Sequence, residues 1–225
     1  MDYDNRKFQR LRARLVEELR QKGIEDERVL HAIGEVPRHQ FVEPAFVQRA
    51  YEDEALPIGL QQTISQPYTV AYQTMMVNPQ KNERILEIGT GSGYQAAILA
   101  AMGARVFSIE RHEALYKRAK AILSDLGYRV TTKHGDGTLG WPAFAPYDKI
   151  LVTAGAAGVP EPLLQQLREP DEMHPGGSLV IPIGGEEGQV MRRIMRTGPD
   201  TYQQEEWQTF RFVPLIGEGK LLRRS

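Results

Sequence analysis

The chain has 225 residues, 41% of them hydrophobic, with 28 Lys and Arg against 29 Asp and Glu and no cysteine. That is enough apolar material for one substantial core, and the balanced charge argues against a general nucleic-acid binder, which carries a basic excess or stripe. Without cysteine, a disulfide framework, a thiolate nucleophile and a Cys-ligated zinc site are excluded.

The five histidines, at 31, 39, 112, 134 and 174, show no pair at helical ligand spacing, so no metal is expected. No apolar run reaches the ~18 residues of a membrane span. The opening MDYDNRKFQR lacks an apolar signal segment. The expectation is a soluble cytoplasmic protein with neither membrane nor nucleic acid as partner.

Residues 5–22 place Phe8, Leu11, Leu15, Val16 and Leu19 on one helical face, with Gly23 as the stop. The Arg10, Arg12 and Arg14 face of that helix reads as solvated rather than as an acidic-partner site. Asp26 is a plausible N-cap for a second short helix through Val29, Leu30 and Ile33. Residues 35–67, rich in Pro and Gln, read as loops and turns, and a helix follows over 68–77, opened by Ser65-Gln66-Pro67.

From 83 onward the pattern alternates: strand 84–88, helix 93–102, strand 105–110, helix 111–126, strand 128–133, strand 148–154, helix 160–168 and strand 177–184. Such alternation with short connections predicts a doubly wound, mostly parallel α/β sheet with helices on both faces. Two β-runs, GQVMRRIMRTG and TYQQEEWQTFRFVPLI, flank Gly198-Pro199-Asp200 and predict antiparallel C-terminal strands. The expected organisation is a single domain over 1–225. Residues 1–82 form a helical and loop annex carrying part of the site, and 83–225 form a Rossmann-like core.

The stretch RILEIGTGSGYQAAILA (84–100) puts glycines at 89, 91 and 93, where a first strand turns into a helix. Ligands of open α/β sheets bind beyond the carboxyl edge there, and glycine lets backbone approach a ligand closely. The spacing G-x-G-x-G differs from the dinucleotide fingerprint G-x-G-x-x-G, and Glu87 stands where an anionic phosphate would be unwelcome. A cationic or zwitterionic ligand such as S-adenosylmethionine fits better. Glu110, closing the next strand, can accept from ribose hydroxyls or complement a helix N-terminus. Asp136, between two glycines, can accept from an adenine amino group or serve as a turn residue.

These blocks, in order, resemble the protein-L-isoaspartate (D-aspartate) O-methyltransferase family: VPRHQFVEP (36–44), AYEDEALPIG (50–59), QTISQPY (62–68), LEIGTGSGYQAAILA (86–100), GDG (135–137), YDKILVTA (147–154) and FVPLIG (212–217). The glycine block alone is common to class I methyltransferases; QTISQP with VPRH and VPL is far more specific. The resemblance implies the Rossmann-like fold and S-adenosylmethionine as methyl donor. It implies isoaspartyl-containing proteins and peptides as substrates, and a monomer. Gln62, Thr63, Ile64 and Ser65 would line the cofactor site together with Gly89, Gly91, Glu110, Arg111, Asp136 and Gly137. Ser65 matches the active-site serine, and Val213, Pro214 and Leu215 would hold the substrate backbone. On residues alone Ser65 reads more readily as a helix N-cap, a role compatible with its proton pointing to substrate.

The sequence departs from the family at Gln61, where glycine is usual, in the longer connection 168–177, and at Gly155, where alanine is common. Methylation of a small molecule or nucleic acid is opposed by the lack of cysteine and of an Asn/Asp-Pro-Pro-aromatic run. A non-catalytic nucleotide-binding module stays open, and a nicotinamide oxidoreductase is opposed by the glycine spacing.

Overall fold

The computed structural model describes residues 5–185, 187–219 and, for the backbone, 221–222. The first four residues of the stretch read for a signal segment thus lie outside the described residues, as do the outer ends of the expected 1–225 domain.

The N-terminal part contributes α1 (Arg6–Gln21), α2 (Glu27–Glu35), the hairpin β1 (Leu56–Gly59) and β2 (Gln62–Ile64), and α3 (Pro67–Val77). Asp26 caps α2 by accepting from the Arg28 amide, as its position predicts. On α1, Leu15 and Leu19 are buried and Phe8, Leu11 and Val16 pack beside them. Arg12 departs from the solvated reading: it is buried and donates to the Gly34 carbonyl at 2.6 Å, while Arg10 and Arg14 stay exposed.

The central sheet contains β3 (Arg84–Ile88), β4 (Arg105–Glu110), β5 (Val130–His134), β6 (Lys149–Val152), β8 (Ser178–Gly185), β9 (Gly188–Arg196) and β10 (Tyr202–Phe210). The helices α4 (Tyr94–Ala101), α5 (Glu113–Asp125) and α6 (Glu161–Gln165) lie between them, and a two-residue β7 (Val159–Pro160) pairs with β11 (Leu221–Leu222). Across the sheet the order is β10-β9-β8-β6-β3-β4-β5. The five strands from β5 to β8 run parallel, and β8-β9-β10 is an antiparallel meander.

Alternate residues feed opposite faces. Ile85, Leu151 and Val180 join the core shared with α1 to α5, while Leu86, Ile150 and Leu179 join the one under α6 and the turns carrying Trp141 and Phe144. Burial on both sides explains why these strands read as unbroken apolar runs. The annex and the sheet share one contiguous core.

Several boundaries differ from expectation. The helix expected over 160–168 spans only Glu161–Gln165, because Leu167 forms a parallel bridge with Tyr147. Two backbone bonds of 2.8 Å, Tyr147 to Gln166 and Arg168 to Tyr147, replace the next helical turn. The final β-run is also shorter than read: β10 ends at Phe210, and the chain then crosses to pair Pro214 with Gly155. The long 168–177 connection enters the amino end of β8, where Arg168 pairs with Asp148 and Glu169 with Arg196 at 2.7 Å. It lies opposite the carboxyl edge, away from the glycine turn.

Candidate active site

The sheet reverses its winding between β3 and β6, and the crevice beyond their carboxyl ends is the expected ligand position in an open α/β sheet. Its walls come from the glycine turn (Ile88–Ser92), the end of β4 (Ile109–His112), Gly137, Thr153 and Ala154 after β6, the annex segment Gln61–Ser65, and Val213–Ile216. Among the described residues no group of three or more His, Asp or Glu side chains stands ready for a metal. No described helix is long and apolar enough to cross a membrane.

The three glycines serve different ends. Gly89 (φ 99°) and Gly91 (φ 54°) both adopt the left-handed region and line the crevice. A side chain on Gly89 would collide with the Thr153 hydroxyl, which donates to the Gly89 carbonyl at 2.7 Å. Gly93 is not on the crevice wall; it is the N-cap of α4, and an added Cβ would press on Leu123 and Ala119 of α5. Two of the three thus line the crevice, and the third serves helix packing.

Glu110 is 4% exposed, and its carboxylate is fixed by two backbone amides, Gly91 to Oε2 and His112 to Oε1, both at 2.8 Å. One acceptor position stays open on each oxygen, the arrangement a ribose diol requires. Helix complementarity and ligand acceptance are therefore compatible in this residue.

Asp136, expected at the cofactor site, does not line the crevice, and its carboxylate is drawn elsewhere. Its Oδ1 takes the Thr138 amide at 2.8 Å and hydroxyl at 2.7 Å, and its Oδ2 takes the Glu218 amide at 2.7 Å. These bonds, working against a desolvation that alone would raise it, hold its carboxyl below the usual range. It caps a short turn and ties down the C-terminal segment, which leaves one acceptor position on Oδ2. Gly137 beside it is on the crevice wall, packed so tightly on Ile88 that no side chain fits. Arg111 is exposed at the rim.

The hairpin β1–β2 presents Gln62, Thr63 and Ile64 to the crevice, and Ser65 follows immediately. Ser65 is not the cap of α3. The N-cap position falls on Gln66, without a side-chain cap bond, and the Tyr68 amide is taken by Asp53 Oδ1 at 2.7 Å. The Ser65 hydroxyl has no hydrogen-bond partner among the described residues.

A second groove lies beside the first, lined by Thr69, Phe210 and Phe212 among others. Thr63, Ser65, Thr153 and Val213 line both. Along their common wall Val213 and Leu215 bracket Gly155, accepting and donating backbone bonds of 2.8 and 2.7 Å. Pro214 lies between them, where its missing N–H removes nothing from the bridge. An alanine at 155 would press on Gln189, whose Oε1 holds the Phe212 amide at 2.8 Å.

Sequence reading missed several polar residues of the wall, among them Thr90, Ser92, His112, Thr153, Gln73 and Gln95. Gln73 donates to the Val152 carbonyl at 3.1 Å, and Gln95 donates to Thr74 at 2.9 Å, leaving its buried Oε1 without a partner. Only their positions on helices that happen to end at the crevice distinguish them from ordinary core-facing amides. Glu87, the carboxylate before the glycines, is fully buried beneath the wall rather than on it, and Ser108 donates to it. Desolvation raises its pKa to about 8 against that hydrogen bond, with the Glu110 charge adding to the rise.

A family model described as protein-L-isoaspartate(D-aspartate) O-methyltransferase matches residues 10–220. The chain is 64% identical to a protein-L-isoaspartate O-methyltransferase of Salinibacter ruber, over 96% of both chains. It is 50% identical to one of Christiangramia forsetii, over 95% of this chain and 97% of the relative. Among solved structures, a protein-L-isoaspartate O-methyltransferase superposes with a TM-score of 0.81 at 31% identity, over 92% of this chain and 66% of that one. A Plasmodium falciparum chain described as a beta-aspartate methyltransferase, solved with S-adenosyl-L-homocysteine, shares the fold with a TM-score of 0.78 at 24% identity.

Proposed function

Since the chain belongs to the protein-L-isoaspartate(D-aspartate) O-methyltransferase family, and so methylates the free α-carboxylate of isoaspartyl residues in damaged proteins, we propose that the glycine-turn crevice takes the methyl donor and the adjoining groove the damaged peptide, meeting at Ser65. One observation carries this reading: four residues, Ser65 among them, line both depressions.

S-adenosylmethionine, when bound, supplies a methyl group on a positively charged sulfur. The residues present suit it. Gly89 and Gly91 leave room for close approach, and Glu110 keeps one acceptor position on each oxygen for the ribose. The orphaned Gln95 Oε1 suits the ammonium group, and Asp136, which does not itself line the crevice, keeps one acceptor position on Oδ2 that we assign to the adenine amino group. Gln62, Thr63 and Ile64 close over the donor from the annex, with Arg111 at the rim.

The acceptor carboxylate has a pKa near ~4 and is already ionised at neutral pH, so no general base is required. What the protein contributes is orientation, holding nucleophile and methyl group in line. Ser65 donates one hydrogen bond to the carboxylate and takes no proton from it. A stronger anion binder would bind the acceptor more tightly and make it a weaker nucleophile. Val213, Pro214 and Leu215 form the edge along which the substrate backbone lies.

The chain works as a single unit over 1–225, monomeric and cytoplasmic, without metal, membrane or nucleic acid. The test is methyl transfer from labelled donor to an isoaspartyl peptide and to its normal aspartyl counterpart. Only the first should be labelled; equal labelling of both would contradict the reading. Ser65→Ala should retain S-adenosylhomocysteine binding while losing turnover, and full turnover would remove Ser65 from the mechanism.

A further inference from the structure

Arg38 lies on a short turn after α2 and is 0% exposed. No carboxylate pairs with it among the described residues. Its Nε donates to the Ala50 carbonyl at 2.9 Å, and one terminal nitrogen donates to the carbonyls of Glu54, at 3.3 Å, and Ser65, at 2.9 Å. The other terminal nitrogen has no partner. The guanidinium carbon sits 4.9 Å from the centre of the Tyr94 ring, whose face offers partial compensation.

Burying a cation without a counter-charge is costly. An apolar side chain of similar volume would fill the space more cheaply. What only the planar fork of arginine provides is simultaneous reach to carbonyls of two separate segments. One of those segments is residue 65 itself; the other is the turn 50–54.

That same turn grips the chain just after Ser65. Asp53 takes the Tyr68 amide on Oδ1 at 2.7 Å and the Gln66 side-chain amide on Oδ2 at 3.1 Å. The Gln66 side chain also donates to the Asp53 carbonyl at 3.0 Å. Lys22, at the end of α1, anchors Asp53 from behind at 2.6 Å. The capping duty at the start of α3 is thereby discharged by Asp53, and the Ser65 hydroxyl is released from it.

We propose that Arg38 and Asp53 form a positioning clamp, Arg38 fixing the Ser65 carbonyl and Asp53 replacing Ser65 as the cap of α3, so that the serine hydroxyl is presented unpaired to the acceptor. Neither residue lines the crevice or the groove; both act through Ser65. The inference rests on the reading of Ser65 as the group that orients the acceptor.

The test is a double-mutant cycle on isoaspartyl-peptide methylation. Arg38→Lys keeps the charge and loses the fork, and Asp53→Ala removes the cap. Each should lower kcat by about 10- to 100-fold, the scale of a misplaced orienting group, with S-adenosylhomocysteine affinity by calorimetry unchanged. In a Ser65→Ala background neither should lower kcat further. Asp53→Ala removes the cap bond, one Gln66 side-chain bond and an exposed lysine's ion pair while leaving the Arg38 fork intact, so it carries the test if Arg38→Lys fails to fold.

Undiminished kcat in the single variants, equal further losses without the serine, or a parallel fall in S-adenosylhomocysteine affinity would each overturn the clamp. Full turnover in Ser65→Ala alone would overturn the assignment of Ser65 and the clamp with it. Loss in Ser65→Ala with additive losses at Arg38 and Asp53 would leave the serine standing and remove the clamp.

Discussion

At the residue scale, Glu87 combines complete burial with an ionisable group that has one oxygen bonded to Ser108 and one without a partner. Its folded pKa of about 8 stands above the ordinary 4.5, chiefly through desolvation. Below pH 4.5 the group is protonated in folded and unfolded chains alike. Between 4.5 and 8 the unfolded chain releases a proton that the folded chain keeps, so this residue's contribution falls by about 1.4 kcal/mol per pH unit. Above 8 the loss is complete. Glu87→Gln cannot titrate, so its stability relative to the parent should rise with pH over that window and then level off. Urea-unfolding midpoints from pH 5 to 9 would check this, and parallel curves for the two proteins would refute it. Sequence reading recognised Glu87 as a carboxylate next to the glycine turn but could not see that it lies under the wall. The alternation that sends Ile85 and Glu87 to one face of β3, and Leu86 and Ile88 to the other, is masked when both faces are buried. For Glu110 the position at a strand end was sufficient, because strand ends of a parallel sheet converge on one edge. Gln73 and Gln95 were illegible, since nothing in the sequence marks which helical amide meets a cavity.

At the scale of elements, the β1–β2 hairpin shows what a single substitution does to a turn. Gly59 pairs with Gln62, leaving Leu60 and Gln61 as the two turn residues, with φ of 52° and 57°. Positive φ at both central positions is the type I′ geometry, which favours glycine at the second. Gln61 occupies that position, and a left-handed non-glycine residue costs about 1–2 kcal/mol. Glycine would recover this, less about 0.5–1 kcal/mol for its larger unfolded-state entropy. Gln61→Gly should therefore raise stability by about 0.75 kcal/mol at the middle of these ranges and by no more than about 1.5 kcal/mol, a central rise of roughly 1.5–3 °C in Tm for a chain of this size. A lower Tm would mean that Gln61 makes compensating contacts through its side chain. The departure at this position was visible in the sequence, and the left-handed backbone it has to adopt was not. The end of α6 and the crossing of Val213–Leu215 were not visible. Both depend on backbone bonds to partners far along the chain, Tyr147 and Gly155, and local periodicity carries no information about such partners.

At the scale of the molecule, the crevice exists only because the annex folds against the sheet. The glycine turn, Glu110 and Thr153 belong to strand ends, whereas Gln62 to Ser65 belong to a hairpin and Val213 to Leu215 to a segment returning from the C-terminal meander. The alternating core was legible because each strand–helix unit is locally patterned; the convergence of three distant segments was legible only through family resemblance. A ligand seated among them should couple all three. At S-adenosylhomocysteine a hundredfold above its Kd, mass action contributes about 2.7 kcal/mol, which for this length corresponds to a rise of roughly 5–10 °C in Tm. Amide exchange should slow in the same experiment at 61–65, 89–92 and 213–216 together, since each wall loses its local opening when the others are bridged. Protection confined to 89–92 and the end of β4 would mean that the donor binds to the sheet alone. The annex and the C-terminal segment would then close only on the peptide, and the exchange experiment repeated with an isoaspartyl peptide present would show their protection appearing at that second step.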